Sequence, residues 1–503
     1  MGALRDVPVI DDWVYASSVE HLLKTGELRV DEISAVYPVA QILWGALFAA
    51  SMGFSFGALR LATLTMAAIG CLAFYKTLRE VGVPPTYSFF GAAAVAMSPV
   101  YFALSFSFMT DVPFVSLSMI AVLFYVQAVR RDQPGPLWIA GAFAVLAFLV
   151  RPIGVVLPCA AATSIGWRRL RSPRAVAPVV VSLAAMAALW VVMGRAIGPL
   201  TAQADRFDQL RWWTMVTPAE YLTYNVGLLS QAVIPFLPLL LPPLAANGRI
   251  AMKVVAGAAV LGLLLWVTLS MIPDPLPDWQ TWSLQDIGAR AVVGGDGHVS
   301  AWSQRVKPIV RAVGLVAVAA FLSAAAFTAR RGPRGAGPLL AIGLLHLAVI
   351  NLLWMYNDRY YVALAPAIAF VASVWASERR TPPVLIGALL SLMAVVVVTG
   401  TRDMLDVNEA CAEAARDLEA SGVPPWEIDA GYPLNGWRLY AHPERLPPGA
   451  DRRYDVPYVT SPADPRYRVT HGPQSGFAVV RVLPLMHAWW QATDRLYVLR
   501  RND

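Results

Sequence analysis

The stretch Thr110–Arg131, TDVPFVSLSMIAVLFYVQAVRR, decides the class of the fold. An acid opens it, an apolar run over residues 112–129 follows, and two arginines close it. A helix rising about 1.5 Å per residue needs roughly 17–25 apolar residues to cross the hydrocarbon core of a bilayer, and this run has that length. Composition extends the reading to the whole chain. With 57% hydrophobic and 15% charged residues and a mean hydropathy of +0.54, the sequence describes a polytopic helical membrane protein and excludes a soluble globular one. The formal charge of +7 does not point to nucleic acid, because most arginines stand in short loops between apolar runs, where they set orientation in the bilayer. Of the three cysteines, Cys71 and Cys159 lie inside apolar runs and Cys411 in the polar tail, so the exported part has no partner for an intrachain disulfide.

Further apolar runs lie near residues 58–76, 86–103, 137–150, 152–166, 175–193, 222–246, 252–272, 308–328, 337–355, 360–377 and 382–400, which predicts about 12 spans. Basic clusters recur at every second junction: Lys76 with Arg79, Arg130 with Arg131, Arg168 to Arg174, Arg249 with Lys253, Arg330 to Arg334, and Arg379 with Arg380. Positive charge marks the cytoplasmic loops. Asp111, the loops 194–221 and 273–307, the pair Asp358-Arg359 and everything after residue 401 then face the extracytoplasmic side. The run Pro38–Phe56 admits two readings. If it spans, residues 1–37 are cytoplasmic; if it lies in the interface or re-enters, they form an extracytoplasmic first loop, and a further span is expected ahead of the sequence.

The fold class expected is thus an all-α polytopic membrane domain, residues 38–401, with one additional interfacial or re-entrant helix, joined to a small soluble α+β domain, residues 402–503. In that tail a helix is expected near 404–420 and another around 485–493, with strands at Phe477–Val482 and Arg495–Leu499. It either packs on the outer face of the membrane domain or gates entry of an acceptor.

Four features carry chemistry. The doublet Asp11-Asp12, within Ile10–Ala16, stands just ahead of the spans, and Asp111 falls in another outer loop. Both could simply open helices, where carboxylates complement the dipole. Arg151-Pro152 splits residues 137–166, which as one helix would be roughly 45 Å long and would put neighbouring arginine clusters on opposite faces. A hairpin is expected instead, with Arg151 at its apex below the headgroups. An unpaired charge there costs several kcal/mol, so Arg151 requires an anion: a lipid phosphate gripped in bidentate fashion, or a protein carboxylate. His346 lies at mid-span depth, functional or else bonded to Asn351 or a neighbouring helix. Trp212-Trp213, Trp279 with Trp282, and Trp354 with Tyr356 read as an interfacial belt. No GxGxxG, P-loop, HExxH or CxxC pattern occurs.

Taken in order, Asp11-Asp12-x-x-Tyr15-Ala16, His21, Tyr37-Pro38, Arg60-Leu61, Ser98-Pro99, Thr110-Asp111-x-Pro113, and Arg359-Tyr360 with the following Pro366 resemble the glycosyltransferases of family 39, the protein O-mannosyltransferases, together with the aminoarabinose (lipid A) transferases, all of the GT-C fold. The resemblance covers about residues 10–170 and the segment around 359–366. It implies that Asp11 is outside, and that a span precedes it. It also implies an integral-membrane enzyme of the bacterial cytoplasmic membrane that moves a sugar from a polyprenyl phosphate to an acceptor hydroxyl at the outer face, with inversion. Asp11 is then the general base, and Asp12 and Asp111 either share a divalent cation, with Asp11 near it, or position the acceptor. Arg151 and Arg359 hold the donor phosphate, and Tyr15, Tyr37 and His21 contact acceptor or sugar. Two departures stand out: Tyr37 replaces the lysine that many relatives carry before the proline, and Asp12 stands where a glutamate is usual. Partners implied are the polyprenyl-phosphate-linked sugar, an acceptor that is lipid, polysaccharide or protein, and membrane lipids, with no nucleic acid. A transporter or flippase of lipid-linked saccharides is the competing class; it calls for inverted repeats, and no symmetry between the halves is visible.

Overall fold

The computed structural model describes residues 5–165, 172–198, 200, 218–245, 248–269, 307–333, 335–352, 358–450, 465–485 and 495–502. Its first half runs α1 (Asp12–Thr25), α2 (Val39–Met52), α3 (Phe56–Glu80), α4 (Pro85–Ala96), α5 (Pro99–Ser105), α6 (Asp111–Arg131), α7 (Gly135–Phe148), α8 (Val156–Ile165) and α9 (Pro173–Ala196). Helices Pro218–Val233, Gly248–Leu269, Lys307–Arg331, Gly337–Leu352, Ala365–Glu378 and Pro383–Ala420 follow. Local chemistry explains many of the starts. Pro85, Pro99, Pro173 and Pro383 each open a helix, where the missing N–H costs nothing and φ is already set. Ser55 caps α3 by accepting from the Ala58 N–H at 3.1 Å.

Among the described residues six helices are long and apolar enough to cross a membrane: Phe56–Glu80, Asp111–Arg131, Pro173–Ala196, Ala312–Arg331, Arg359–Glu378 and Pro383–Ala420. A seventh results if α4 and α5 count as one span, although the chain bends by 66° between them. The sequence reads residues 86–103 as one straight run; the bend falls at Ser98-Pro99, because a residue before proline is pushed out of the helical region, and Ser98 sits at φ −61°, ψ 125°. Shorter apolar helices lie at Val39–Met52, Gly135–Phe148, Pro152–Ser164, Asn225–Leu240 and Gly337–Leu352.

Helix α6, the stretch that decided the fold class, is the centre of the bundle, with 83% of its apolar window buried. Its tightest neighbour is α3. Gly70 lets them approach so closely that a Cβ there would meet the Ser116 Cα at 2.7 Å, and Tyr101 closes the same layer with its hydroxyl 3.1 Å from Ser116 Oγ. Helix α7 returns antiparallel to α6 and ends just before Arg151, which is extended at φ −143°, ψ 131° ahead of Pro152. The helix break expected at Arg151-Pro152 is therefore present, and Gly154 packs its backbone onto Phe148 N, 2.5 Å from where a Cβ would stand.

Helix α2 has 14 residues, roughly 21 Å at the standard rise, which falls short of a bilayer core. It buries Gln41, Ile42, Gly45 and Ala49 against the protein and turns Leu43 and Leu47 outward. Of the two readings of Pro38–Phe56, this geometry fits the interfacial one.

The helix Pro383–Ala420 is 38 residues long, roughly 57 Å, nearly twice the hydrocarbon thickness. It leaves the membrane without a break, so the boundary expected at 401–402 falls inside a continuous helix and marks a change of surface. Beyond it Val407, Cys411 and Ala415 pack with Ile428, Val469, Leu496 and Val498 in a second core. Around that core stand β1 (Ile428–Asp429), β2 (Tyr467–Thr470), β3 (Phe477–Pro484) and β4 (Arg495–Arg501), in the order β1-β2-β4-β3. The β1–β2 pair is parallel and the others antiparallel. The two strands read from the sequence fall within β3 and β4. The helix expected around 485–493 lies outside the described residues apart from its first position, and Trp212, Trp213, Trp279, Trp282, Trp354 and Tyr356 lie wholly outside them.

This second unit is docked on α1 and on the entry to α3. Trp13 packs edge-on against Tyr432 and Tyr440, with ring centroids 6.2 and 5.7 Å apart, and a Cβ on Gly436 would collide with its indole at 2.3 Å. Trp437 stacks on Phe54 at 5.9 Å, and Arg5 bridges Asp406 and Glu409.

The closeness of α3 and α6 has a measurable consequence. Gly70→Ala forces Ser116 and its helix outward and is expected to cost about 1–3 kcal/mol, seen as a lower melting temperature in detergent. Gly257→Ala, whose Cβ would meet Ala319 at an ordinary 3.6 Å, leaves the melting temperature unchanged. Equal behaviour of the two variants would contradict this packing.

Candidate active site

Asp11 occupies the N-cap position of α1, yet its side chain makes no capping hydrogen bond. Its oxygens are engaged elsewhere. Oδ2 accepts from Arg359 Nη1 at 2.9 Å, and Oδ1 accepts from the Tyr432 hydroxyl at 2.7 Å. Asp12 points the other way, is fully buried, and accepts from the Val9 N–H at 2.8 Å and the Phe108 N–H at 3.4 Å. Beside it the buried Arg60 donates to the carbonyls of Arg5, at 2.5 Å, and Val7. The doublet is thus divided by function: Asp12 and Arg60 strap the N-terminal segment to α3 and to the loop before α6, and Asp11 is left facing the site.

Asp111 opens α6 and is 1% exposed. Arg151 Nη2 lies 2.8 Å from its Oδ2, and Arg151 Nε donates to Thr110 Oγ1 at 2.8 Å. That ion pair is close, but its N–H is not aimed as a hydrogen bond, and Asp111 Oδ1 has no hydrogen-bond partner among the described residues. The guanidiniums of Arg151 and Arg359 each stand 5.4 Å from the ring centroid of Tyr360, within cation–π range. Tyr15, one helical turn after Asp11, lies within electrostatic reach of Asp11, Arg359, Arg151 and Asp111, and burial pushes its hydroxyl pKa up. Two acid–arginine pairs are therefore joined through one tyrosine ring. Asp11 and Asp111 share one side of the bundle, which a spanning α2 would have prevented.

Other expected site residues are placed elsewhere. Tyr37 donates to the Gly198 carbonyl at 2.7 Å and packs edge-on against Trp190, which ties α2 to the end of α9. His21 lies roughly 15 Å along α1 from Asp11. Neither makes a hydrogen bond or ion pair with the acids. Arg151, for which a lipid phosphate and a protein carboxylate were both open, here has the carboxylate. His346 bonds neither Asn351 nor a neighbouring helix: its Nδ1 is 3.1 Å from the Ile342 carbonyl of its own helix, and Asn351 donates to Leu347. As for a shared cation, among the described residues no three Asp, Glu, His or Cys side chains converge to hold one. Asp12 has turned its oxygens to backbone N–H groups and the other two acids face arginines, so the three do not fit that role.

Sequence reading missed Tyr432, which reaches Asp11 across 421 residues and carries no local signal. Tyr360 was visible beside Arg359, but its position between two guanidiniums was not.

Burial pushes the Asp12 carboxyl up to about 7, against the opposing pull of Arg60. A carboxyl whose folded pKa is raised holds its proton more tightly than in the unfolded chain. Its contribution to stability is therefore complete below about pH 4 and lost as pH rises towards 7. Asp12→Asn removes this titration, so the melting temperature of the parent should fall relative to that of the variant between pH 4 and 7. A constant gap across that window would show that Asp12 does not titrate there.

Residues 38–195, which hold Asp111 and Arg151, match the family described as dolichyl-phosphate-mannose-protein mannosyltransferase. No curated protein sequence matches the chain. Among solved structures it is similar to ArnT from Cupriavidus metallidurans in the apo state, at 14% identity over 99% of this chain and 95% of that one with a TM-score of 0.38. The same protein bound to undecaprenyl phosphate gives 15% identity, 99% and 94% coverage and a TM-score of 0.40. The oligosaccharyltransferase AglB from Archaeoglobus fulgidus gives 14% identity, covering 84% of this chain and 55% of that one, with a TM-score of 0.43. The family match covers about a third of the chain, residues 38–195.

Proposed function

We propose that the protein transfers a sugar from a polyprenyl phosphate to an acceptor hydroxyl at the outer face of the cytoplasmic membrane, with inversion at the anomeric carbon and Asp11 as general base. The observation that carries this reading is the pairing of Asp11 with Arg359 and of Asp111 with Arg151 on either side of Tyr360, in a chain whose residues 38–195 match that family. A sugar on a polyprenyl phosphate already has a good leaving group. What remains is to hold the acceptor hydroxyl in line, take its proton and steady the departing phosphate.

Each of those tasks has a candidate. Arg151 and Arg359 are planar, permanently charged donors matched to a phosphate. A phosphate arriving between them competes with the two carboxylates for the same guanidinium N–H groups, and Arg359 drawn to it releases Asp11 Oδ2 to accept the acceptor proton. Asp111 keeps Oδ1 without a hydrogen-bond donor and is suited to accept from a hydroxyl of donor or acceptor; Tyr15 lines the same space. The displacement has one step: the acceptor oxygen bonds to the anomeric carbon as the bond to the phosphate oxygen breaks, and the proton passes to Asp11. In this reading Gly248–Leu269 and the shorter apolar helices other than α2 complete a bundle of about twelve spans, and the site and the C-terminal domain are extracytoplasmic.

Purified protein in nanodiscs, given a polyprenyl-phosphate sugar and acceptor, tests the assignment through release of polyprenyl phosphate. Asp11→Asn is expected to lower turnover by about 10²–10⁴-fold while retaining affinity for polyprenyl phosphate, whereas Arg359→Lys raises the donor KM. Full turnover by Asp11→Asn removes the proposal.

A further inference from the structure

The contact between Tyr432 and Asp11 comes from a part of the protein with its own core. Tyr432 opens the short helical turn Tyr432–Asn435, preceded by Gly431 at φ +92°, a conformation that side chains other than glycine rarely take. A buried polar network holds this turn. Asp429 Oδ1 accepts from the Gly431 N–H at 3.2 Å and from Asn435 Nδ2 at 2.7 Å, while Asn435 Oδ1 accepts from the Ala430 N–H at 3.0 Å. Asp429 and Asn435 are 1% and 2% exposed, so the network contacts little solvent and sets the direction in which Tyr432 leaves the turn. From the other side, Trp13, two residues after Asp11, packs edge-on against the Tyr432 ring. The phenol is held at both ends of its path to the carboxylate.

We propose that Tyr432 is the positioning residue of the base, so that the C-terminal domain completes the active site. The inference rests on the reading of Asp11 given above. With the Tyr432 hydroxyl on Oδ1 and Arg359 on Oδ2, both carboxylate oxygens are anchored and the plane of the group is fixed. When Arg359 turns to the donor phosphate, Tyr432 remains as the one anchor observed here that is not itself drawn to an anion, and it keeps Oδ2 aimed into the site. A carboxylate left to rotate after losing Arg359 would spend much of its time out of line with the acceptor hydroxyl, which lowers the rate of the chemical step without weakening donor binding. Domain docking thereby becomes a condition for turnover.

The experiment compares three variants of the full chain in nanodiscs. Tyr432→Phe keeps the ring against Trp13 and removes only the hydroxyl; kcat is expected to fall roughly 5- to 10-fold, the equivalent of one orienting hydrogen bond, with the donor KM and the melting temperature unchanged. Tyr440→Ala removes a different ring from Trp13 and loosens the same domain contact; it lowers the melting temperature and leaves kcat per folded protein near that of the parent. A kcat for Tyr432→Phe equal to the parent's, or one that falls only in step with lost folded protein, overturns the proposal. Asp11→Asn separates the two claims. If it is inactive while Tyr432→Phe is unimpaired, the positioning role fails and the base stands; if it is active, the base assignment fails.

Discussion

Charge compensation at the mouth of the bundle is the constraint on which the rest of the structure depends. Arg359 begins an apolar segment long enough to span a membrane and Arg151 stands at the break between two short apolar helices, and a lone guanidinium within a hydrocarbon core costs several kcal/mol. Each has found a carboxylate, Asp11 across 348 residues and Asp111 across the α6–α7 hairpin. Breaking such a pair by removing one partner leaves an uncompensated charge, a far larger penalty than the pair's net contribution to stability. The four groups therefore hold one another in place and bring the start of α1, the start of α6, the Arg151 apex and the Arg359 turn to one point.

Around this centre burial separates two adjacent acids. Asp12 and Arg60 are both sealed off and use their hydrogen-bonding capacity on backbone groups, which makes them fasteners of the N-terminal segment. Asp11, next in sequence to Asp12, is only partly buried and bonds side chains alone. Adjacent residues on a helix start leave the axis about 100° apart, so one turns into the protein and the other towards the site. The C-terminal domain then closes over this end through Trp13 and the long helix Pro383–Ala420, whose length exceeds what a bilayer needs and whose outer part belongs to the second core.

Much of this was legible from the chain. Apolar length and alternating basic clusters specify helices and their order, since hydrophobic burial is a sum over residues and does not need to know their partners. The two strands Phe477–Val482 and Arg495–Leu499 and the helix break at Arg151-Pro152 were visible for the same local reason. Less legible were features set by where a helix bends or stops. The Ser98-Pro99 step breaks an apolar run that reads as continuous, and the run 383–420 hides the domain boundary inside one helix because helical hydrogen bonding continues whether the surface faces lipid or a sheet. Tyr37 and His21, close in sequence to the acids, were drawn into the expected site by proximity along the chain, and the fold sends them to Gly198 and along α1.

The sequence by itself determined that this is a helical membrane protein with acids and arginines at the ends of its apolar runs, because composition, run length and charge placement are properties of each segment alone. Only the tertiary structure decided which acid meets which arginine, that Asp12 is sealed while Asp11 is presented, and that a tyrosine from the far end of the chain reaches the same carboxylate. Most of those are contacts between segments well separated along the chain. Their energies depend on distance and burial, and neither quantity exists until the chain has folded.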